Sequence, residues 1–260
     1  MLTQILKRLG IYKLYERWLL GQVRSRDMPQ HLGVILDGNR RWAFQRSLPT
    51  FLGHMEGAKK GEVFLEWCLD LGIKTVTIYV FSTENFNRPK REVEALFEVI
   101  EEYLGRLKGD PRIHRKRVKV KAIGRIDELP PSLKQRLLEV EEATKAYRGF
   151  FFNIAIAYGG RTEILDATKK LIKDVVKGRV RPEEVDEGLF TGYLYTSHLP
   201  NPYPDLVIRS SGEERLSGFL LWQTAYSELF FLDVYWPHFR KIDLLRAIRT
   251  YQRRKRRFGA

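Results

Sequence analysis

A mostly parallel α/β sheet with helices on both faces is the fold this sequence predicts, and three observations predict it. Short, β-branched apolar runs alternate with segments of helical periodicity along most of the 260 residues. Clusters of polar residues follow the ends of three of those runs, at Asp37, at Ser82 to Arg88 and at Arg209 to Ser217. In open α/β sheets ligands sit beyond the carboxyl ends of strands, so three such clusters point to one shared site. No repeat, low-complexity stretch or linker rich in Gly, Pro or Ser divides the chain, so a single domain is expected.

The elements follow in order. Residues 31–36 are a short apolar run ending at Asp37-Gly38 and read as a buried strand. A helix is expected over 57–71, then a strand over 74–81, where Val76, Ile78 and Val80 are β-branched. Val93, Leu96, Phe97, Ile100 and Leu104 share one side of a helix over 90–107. Residues 118–123 read as a strand and 131–147 as a helix. The continuous apolar run 150–157 is a further strand, and Gly159-Gly160 punctuates into a helix over 162–176. Short strands are expected at 205–209 and 229–232, and a helix at 242–251, giving six strands in all. Residues 1–25 stand apart. Leu2, Ile5, Leu6, Leu9, Tyr12, Tyr15, Trp18 and Leu19 recur at helical spacing among Lys7, Arg8, Lys13, Arg17 and Arg24. Such a basic amphipathic helix either lies on an anionic bilayer as a peripheral contact or docks on the domain.

Forty-six Lys and Arg against 32 Asp and Glu give a net charge of +14, which favours anionic partners. A single cysteine, Cys68, cannot close an internal disulfide and reads as a buried helix residue of a reducing compartment. No run of 18 apolar residues spans a membrane, and the first residues do not read as a signal peptide, so a cytoplasmic location is expected. Nucleic-acid binding is the class that charge alone would allow, but neither an aromatic-and-basic sheet motif nor a helix-turn-helix signal is present, so no nucleic-acid partner is expected. Walker loops, GxGxxG turns and zinc clusters are absent too.

The polar clusters carry the chemistry. Gly38 and Asn39 allow a tight turn that exposes backbone amides, and Asp37 is a carboxylate of the kind that holds Mg²⁺; an Asp-Gly turn with Asp37 as a cap is the plainer reading. Hydroxyl, amide and guanidinium groups crowd the stretch from Ser82 to Arg88, which also reads as a capped helix start. His54 follows Gly53 and suits phosphate binding or a proton shuttle, or a place in the core. Arg209, Arg215 and Ser217, spaced with Gly212 and Gly218, form the strongest local signal for a phosphate clamp, the alternative being surface arginines paired with Glu213 and Glu214. Glu228 is one carboxylate in the long apolar stretch 219–231, where a cation or a metal would have to offset its burial. A phosphate clamp, a metal ligand and an oily wall together suit a substrate with a diphosphate head and a hydrocarbon tail.

Taken together, these segments resemble the cis-prenyltransferases, the undecaprenyl diphosphate synthase family. The matching motifs are Leu36-Asp-Gly-Asn-Arg-Arg-Trp-Ala43, Gly53-His54, Phe81-Ser-Thr-Glu-Asn-Phe-Asn-Arg-Pro89, Asn153-Ile-Ala-Ile-Ala-Tyr-Gly-Gly-Arg161, Asp205-Leu-Val-Ile-Arg-Ser-Ser-Gly-Glu-Glu-Arg-Leu-Ser217, Trp222-Gln-Thr-Ala-Tyr-Ser-Glu228 and the Arg-Arg-Phe-Gly terminus, covering residues 31–259. The segment from Tyr193 to Tyr203 looks like the archaeal branch, whose members are associated with geranylgeranyl diphosphate as primer, with farnesyl diphosphate as the alternative. The resemblance implies an apolar product tunnel, repeated cis condensation of isopentenyl diphosphate onto an allylic diphosphate, and a product of roughly undecaprenyl size that serves as precursor of a glycosyl carrier lipid. It implies Mg²⁺ held by Asp37 and Glu228, with Asp37 and Asn85 as catalytic residues. Asn85 is the family's proton acceptor; because a neutral amide is a very weak base, orienting the alkene while a diphosphate oxygen takes the proton is the better chemical role. Gly38, Asn39, Arg40, Arg41, Trp42, His54 and Arg88 would serve the allylic diphosphate, with Ser82, Thr83, Glu84 and Phe86 beside them. Arg209, Arg215, Leu216 and Ser217 would hold isopentenyl diphosphate. Arg257 and Gly259 match a terminal motif that reaches the partner's site, which implies a homodimer.

The chain departs from the bacterial pattern where Thr50 stands in place of a phosphate-binding arginine; Arg40, which replaces a glycine, or Arg46 would supply that charge. Val80 and Phe150 occupy the positions that set product length and are bulkier than the Ala and Leu of long-chain bacterial members, so Phe150 is expected in the tunnel floor. Non-catalytic partner subunits of this family keep the fold and lose the motifs, whereas Asp37, Asn85, Arg209, Arg215 and Glu228 are all present here.

Overall fold

The structure is a computed structural model and describes residues 11–254. Its centre is a sheet of six strands, β1 (His31–Ile35), β2 (Thr75–Tyr79), β3 (Val118–Ile123), β4 (Phe150–Ala155), β5 (Leu206–Arg209) and β6 (Glu228–Phe231). They lie in the order β3-β4-β2-β1-β5-β6, and every pairing is parallel. The central strands β1, β2 and β5 are buried throughout, as strands covered on both faces are, and in β2 the alternating threonines are buried with Val76 and Ile78.

The described helices are α1 (Ile11–Arg24), α2 (Asn39–Phe44), α3 (Thr50–Leu71), α4 (Lys90–Gly109), α5 (Pro111–Arg115), α6 (Pro131–Thr144), α7 (Gly160–Val176), α8 (Glu187–Thr191) and α9 (Lys241–Arg253). Strand and helix ends fall within a few residues of the sequence expectation except for α3. That helix begins at Thr50, behind Pro49, because the glycines at 53 and 57 are tolerated where they let α2 approach. A Cβ on Gly53 would stand 2.2 Å from the Asn39 carbonyl oxygen, and one on Gly57 2.5 Å from Asn39 Oδ1. The short helices α2, α5 and α8 have too few turns to show periodicity and are absent from the sequence reading.

The larger core lies on one face of the sheet, under α3, α4, α6 and α9, and includes Val34, Phe64, Cys68, Ile78, Phe97, Phe152, Trp236 and Leu245. A smaller cluster around Tyr79, Tyr158 and Phe219 covers the carboxyl end of the other face. Deeper on that second face runs a buried polar chain. His31 Nε2 lies 2.8 Å from Thr77 Oγ1, Asn153 Nδ2 donates to the same hydroxyl at 2.9 Å, and Asn153 Oδ1 lies 2.9 Å from His198 Nε2. Each polar atom so named has a partner, as burial requires.

Residues 11–24 dock on the domain. Leu19 and Val23 are buried against it, Arg240 Nη1 and Arg246 Nε donate to the hydroxyls of Tyr12 and Tyr15, and Gln252 Nε2 donates to the Val23 carbonyl. Leu19 and Val23 of the α1 stripe are thus spent on the domain, while Leu14 and Trp18 stay exposed. No described helix is long and apolar enough to cross a membrane.

Candidate active site

The loops that leave the carboxyl ends of β1, β2 and β5 converge on one edge of the sheet. Asp37 leaves β1 and is fixed by its backbone: its N–H donates to Ser210 Oγ at 3.0 Å and its carbonyl accepts from Ser210 Oγ at 2.7 Å and from the Trp236 N–H at 3.0 Å. Gly38 follows with φ 99°, and a Cβ there would meet Tyr235 at 2.7 Å, so no other residue fits this turn. The Asp37 carboxylate accepts from Arg209 Nη2 at 2.8 Å, from Arg41 Nη2 at 3.3 Å and from the Gly38 N–H at 2.6 Å. Burial opposes its charge, but the hydrogen bond from Arg209, that of Ser211 and the charges of Arg209 and Arg41 outweigh it. They hold the carboxyl below its ordinary range, so Asp37 is ionised at neutral pH.

The loop after β5 wraps the second arginine. Arg209 is buried, and its Nη1 donates to Ser217 Oγ at 2.8 Å and to the Arg215 carbonyl. Ser211 and Ser217 are held at φ 85° and 48°, next to Gly212 at 78° and Gly218 at 79°. The two serines in that left-handed region carry backbone strain that the flanking glycines do not. Arg41 joins the loop by donating to Ser211 Oγ at 2.7 Å and to Glu213 Oε1 at 3.1 Å. Arg215 points outward, 63% exposed, and pairs with Glu213 at 2.6 Å.

After β2, Ser82 and Asn85 form a reciprocal capping box around the short 3-10 helix Thr83–Asn87. Asn85 Oδ1 accepts the Ser82 N–H at 3.0 Å, so the amide oxygen is engaged in holding its own loop. That geometry suits an orienting role for Asn85 rather than a base. Arg88 closes the loop and pairs with Glu92 at 3.4 Å, where Arg40 Nε arrives at 3.3 Å. His54 is buried, and its Nε2 has no hydrogen-bond partner. Burial first, then the charges of Arg88 and Arg40, lower its pKa to about 4. It is a neutral imidazole at neutral pH, able to present one N–H to an anion but not to shuttle a proton by titrating there.

These groups ring the mouth of a cavity of about 670 Å³. Asp37, Gly38, Asn39, Arg40, Arg41, His54, Ser82, Asn85, Arg88, Arg209 and Ser217 line it, together with Thr50. Its deeper wall is largely apolar, with Glu62 and Tyr103 its polar members. The sheet contributes Ile78, Val80, Phe152 and Ile154, α4 contributes Leu96, Val99, Ile100 and Leu104, and α3 contributes the small residues Gly57, Ala58 and Gly61. Arg40 therefore stands at the mouth beside Thr50, while Arg46 lies over the Trp42 ring, 4.4 Å from its centroid, and is not among the lining residues.

Several expectations are corrected. Glu228 is not beside Asp37 within the chain. It opens β6 in register with Leu206, at the amino edge of the sheet, whereas Arg209 ends β5 at the carboxyl edge. Three residues of strand separate the two levels by about 10 Å. The reason is local: residues 220–226 form turns, not strand, so β6 starts only at Glu228, whose carboxylate pairs with Arg254. Among the described residues no three His, Cys, Asp or Glu side chains are grouped to hold a metal. Phe150 does not line the cavity; it sits under Lys74, 4.7 Å from Nζ to its ring centroid, and Phe152, one pleat further along the same face, lines the wall. Trp42, Thr83, Glu84, Phe86, Arg215 and Leu216 stand behind or beside the mouth rather than in the lining. Phe86, for instance, packs on Phe81 at 4.8 Å between ring centroids. Arg257 and Gly259 lie outside the described residues.

The family model described as "Putative undecaprenyl diphosphate synthase" matches residues 35–259. The chain belongs to the undecaprenyl diphosphate synthase family. Two archaeal relatives carry the name tritrans,polycis-undecaprenyl-diphosphate synthase (geranylgeranyl-diphosphate specific). The one from Methanopyrus kandleri is 54% identical over 96% of this chain and 91% of its own, and the one from Methanocaldococcus jannaschii 51% identical over 96% and 89%. Among solved structures, lavandulyl diphosphate synthase from Lavandula x intermedia, in complex with dimethylallyl diphosphate, superposes with a TM-score of 0.87 at 36% identity over 90% of this chain and 99% of that one. A probable undecaprenyl diphosphate synthase from Campylobacter jejuni gives a TM-score of 0.73 at 31% identity, covering 90% and 100%.

Within the family's site, the sequence reading missed Glu92, Ser211 and the small residues of α3. Glu92 was visible as an i,i+4 partner of Arg88 at a helix start, a spacing that more often marks a solvated surface pair. Ser211 carries no signal of its own without the fold, since its hydroxyl matters only because Arg41 reaches it from 170 residues away.

Proposed function

We propose that this protein is a cis-prenyltransferase that condenses isopentenyl diphosphate repeatedly onto an allylic diphosphate, with geranylgeranyl diphosphate as primer and a product of roughly undecaprenyl size. The observation that carries this is an ionised Asp37, bonded to Arg209 and Arg41, at the charged mouth of a largely apolar cavity. A head with two phosphates meets arginines there, and a hydrocarbon tail meets Ile78, Phe152, Ile154 and Leu104 as a tunnel. The primer named for the archaeal relatives is the reason for choosing geranylgeranyl diphosphate.

The residues divide into two seats. The α2 start from Gly38 to Arg41, with Arg40, His54 and Arg88, takes the allylic diphosphate; Arg209, Ser217 and Arg215 take isopentenyl diphosphate. Arg215 reaches that seat by leaving Glu213, an exposed pair worth little to stability. One carboxylate among arginines fits Mg²⁺ that arrives on diphosphate oxygens and is held by Asp37, since Mg²⁺ keeps few protein ligands when phosphates supply the rest. When bound, Mg²⁺ supplies charge stabilisation for the departing diphosphate. Arg41, Arg88 and His54 donate to the same leaving group, the apolar wall excludes water from the allylic cation, and Asn85 holds the loop against which the alkene is oriented. The proton lost from C2 of the isopentenyl unit, as the new cis double bond forms, goes to a diphosphate oxygen.

The test is direct. Purified protein with Mg²⁺ and labelled isopentenyl diphosphate is offered geranyl, farnesyl and geranylgeranyl diphosphate, and the products are sized and their double-bond geometry determined. A cis ladder that starts most efficiently from geranylgeranyl diphosphate is expected. All-trans products, or none from any primer, would overturn the reading.

A further inference from the structure

One carboxylate at the cavity mouth belongs to neither seat. Glu92 stands in the first turn of α4, where a helix start favours a negative charge. Its Oε1 lies 3.3 Å from Arg40 Nε, 3.4 Å from Arg88 Nη1 and 4.0 Å from His54 Nε2. Three groups of the primer-head seat thus converge on a single oxygen of the chain itself, and its side chain is only 14% exposed. Glu92 is not among the cavity-lining residues, whereas Arg40, His54 and Arg88 all are. The carboxylate therefore approaches these groups from behind, and a diphosphate approaches them from the front.

We propose that Glu92 is a positioning residue that acts as the resting counter-anion of the primer-head seat and competes with the diphosphate for Arg40 and Arg88. This rests on the assignment of that seat to the allylic head. The charge on Arg88 is disfavoured by its burial and by Arg40, and Glu92 offsets these in part. A guanidinium that has already neutralised one carboxylate gives less to a second anion, and the two anions repel across it. The carboxylate keeps the two arginines side by side when the seat is empty, and it weakens the hold on whichever diphosphate fills the seat. After each condensation the departed diphosphate is left in this seat, so a weakened hold eases its exit and clears the seat for the lengthened chain. Arg40 stands at the mouth where Thr50 provides no charge, so Glu92 also sets the orientation of the arginine that serves in its place.

The experiment uses Glu92→Gln, which keeps the shape and removes the charge. Binding of geranylgeranyl thiolodiphosphate, an unreactive primer analogue, is measured by calorimetry with Mg²⁺ present. Competition predicts tighter binding, by up to about tenfold. In turnover the KM for primer should fall, the KM for isopentenyl diphosphate should stay unchanged, and kcat should drop as the departed diphosphate leaves the seat more slowly. Glu92→Asp, which keeps the charge, should lie closer to the wild type than Glu92→Gln. Weaker or unchanged analogue binding by a folded Glu92→Gln protein would overturn the proposal, because a carboxylate that only props up the arginines has that signature. A protein that binds the analogue as predicted but makes no cis product would instead count against the proposed function and leave the role of Glu92 standing.

Discussion

Asp37 follows a strand in a loop, and from the sequence its removal should leave the fold intact. The structure alters that expectation. Arg209 is buried and spends one nitrogen on the Asp37 carboxylate, so Asp37→Ala strands a buried cation as well as removing the proposed metal ligand. The cleaner variant is Asp37→Asn, which keeps an acceptor for Arg209 but lacks the charge that ionisation of the primer requires. Turnover should fall by at least about a hundredfold, with a melting temperature near that of the wild type. Near-normal turnover at saturating Mg²⁺ would show that the carboxylate is not needed. His54 belongs to the same scale. With its pKa lowered to about 4, its imidazole should stay neutral in a ¹⁵N NMR titration from pH 8 to 5.5, and primer KM should show no step from its titration there.

At the scale of elements, the cavity exists because α3 turns small residues and α4 turns long ones toward the same face of the sheet. Gly61 lines the cavity, and a Cβ there would meet nothing within 4 Å, so a side chain has room without disturbing the helix backbone. Gly61→Phe should therefore fold and fill tunnel space, shifting the product ladder down by one or more isoprene units. Phe152→Ala should shift it up, provided the variant survives a packing loss of about 3–5 kcal/mol. Phe150→Ala should leave it unchanged, since Phe150 lies outside the lining. Product sizing of the three variants side by side decides whether Phe152 rather than Phe150 sets the limit. The contrast between these two phenylalanines also marks how far the sequence could be read. Strand identity and face follow from β-branched runs and alternation, and they place residues 150 and 152 together. Depth along the strand relative to α3 and α4 depends on the register with Val76 and Val120, which no local pattern encodes. Glu228 shows the same limit: its apolar surroundings were legible, but the level at which β6 begins was not. The mouth was legible because Asp37, Asn85 and Arg209 all sit just past or at strand ends, where topology alone assembles them.

The molecule as a whole carries two further expectations. His31, His54 and His198 are each lowered to about 4, in every case chiefly by burial. Between pH 6.5 and about 4 the unfolded chain binds protons at these imidazoles that the folded chain does not, so stability must fall as pH falls through that window. The loss should be on the order of 1–2 kcal/mol per imidazole at pH 5, read by urea denaturation at pH 7 and pH 5. Equal stability at the two values would mean that these imidazoles take up protons in the folded chain as readily as in the unfolded one. The second expectation concerns assembly. Arg254 is held by Glu228 at the amino edge of β6, away from the edge where Asp37 stands in the same chain. The terminal Arg257 and Gly259 follow, and the homodimer that the family resemblance implies would assign them to the partner's site. Deleting residues 257–260 should then impair turnover while the core of the described residues keeps the domain folded, as circular dichroism would show. Mixing this deletion with Asp37→Asn provides the decisive arrangement. In a crossed dimer with tails acting in trans, one site carries both defects and the other carries neither. After confirmed subunit exchange, activity should return to about a quarter of the wild-type level, because half of the dimers are mixed and each has one intact site. If the tail serves its own chain, every site in the mixture stays defective, and activity remains at the level of the two inactive parents.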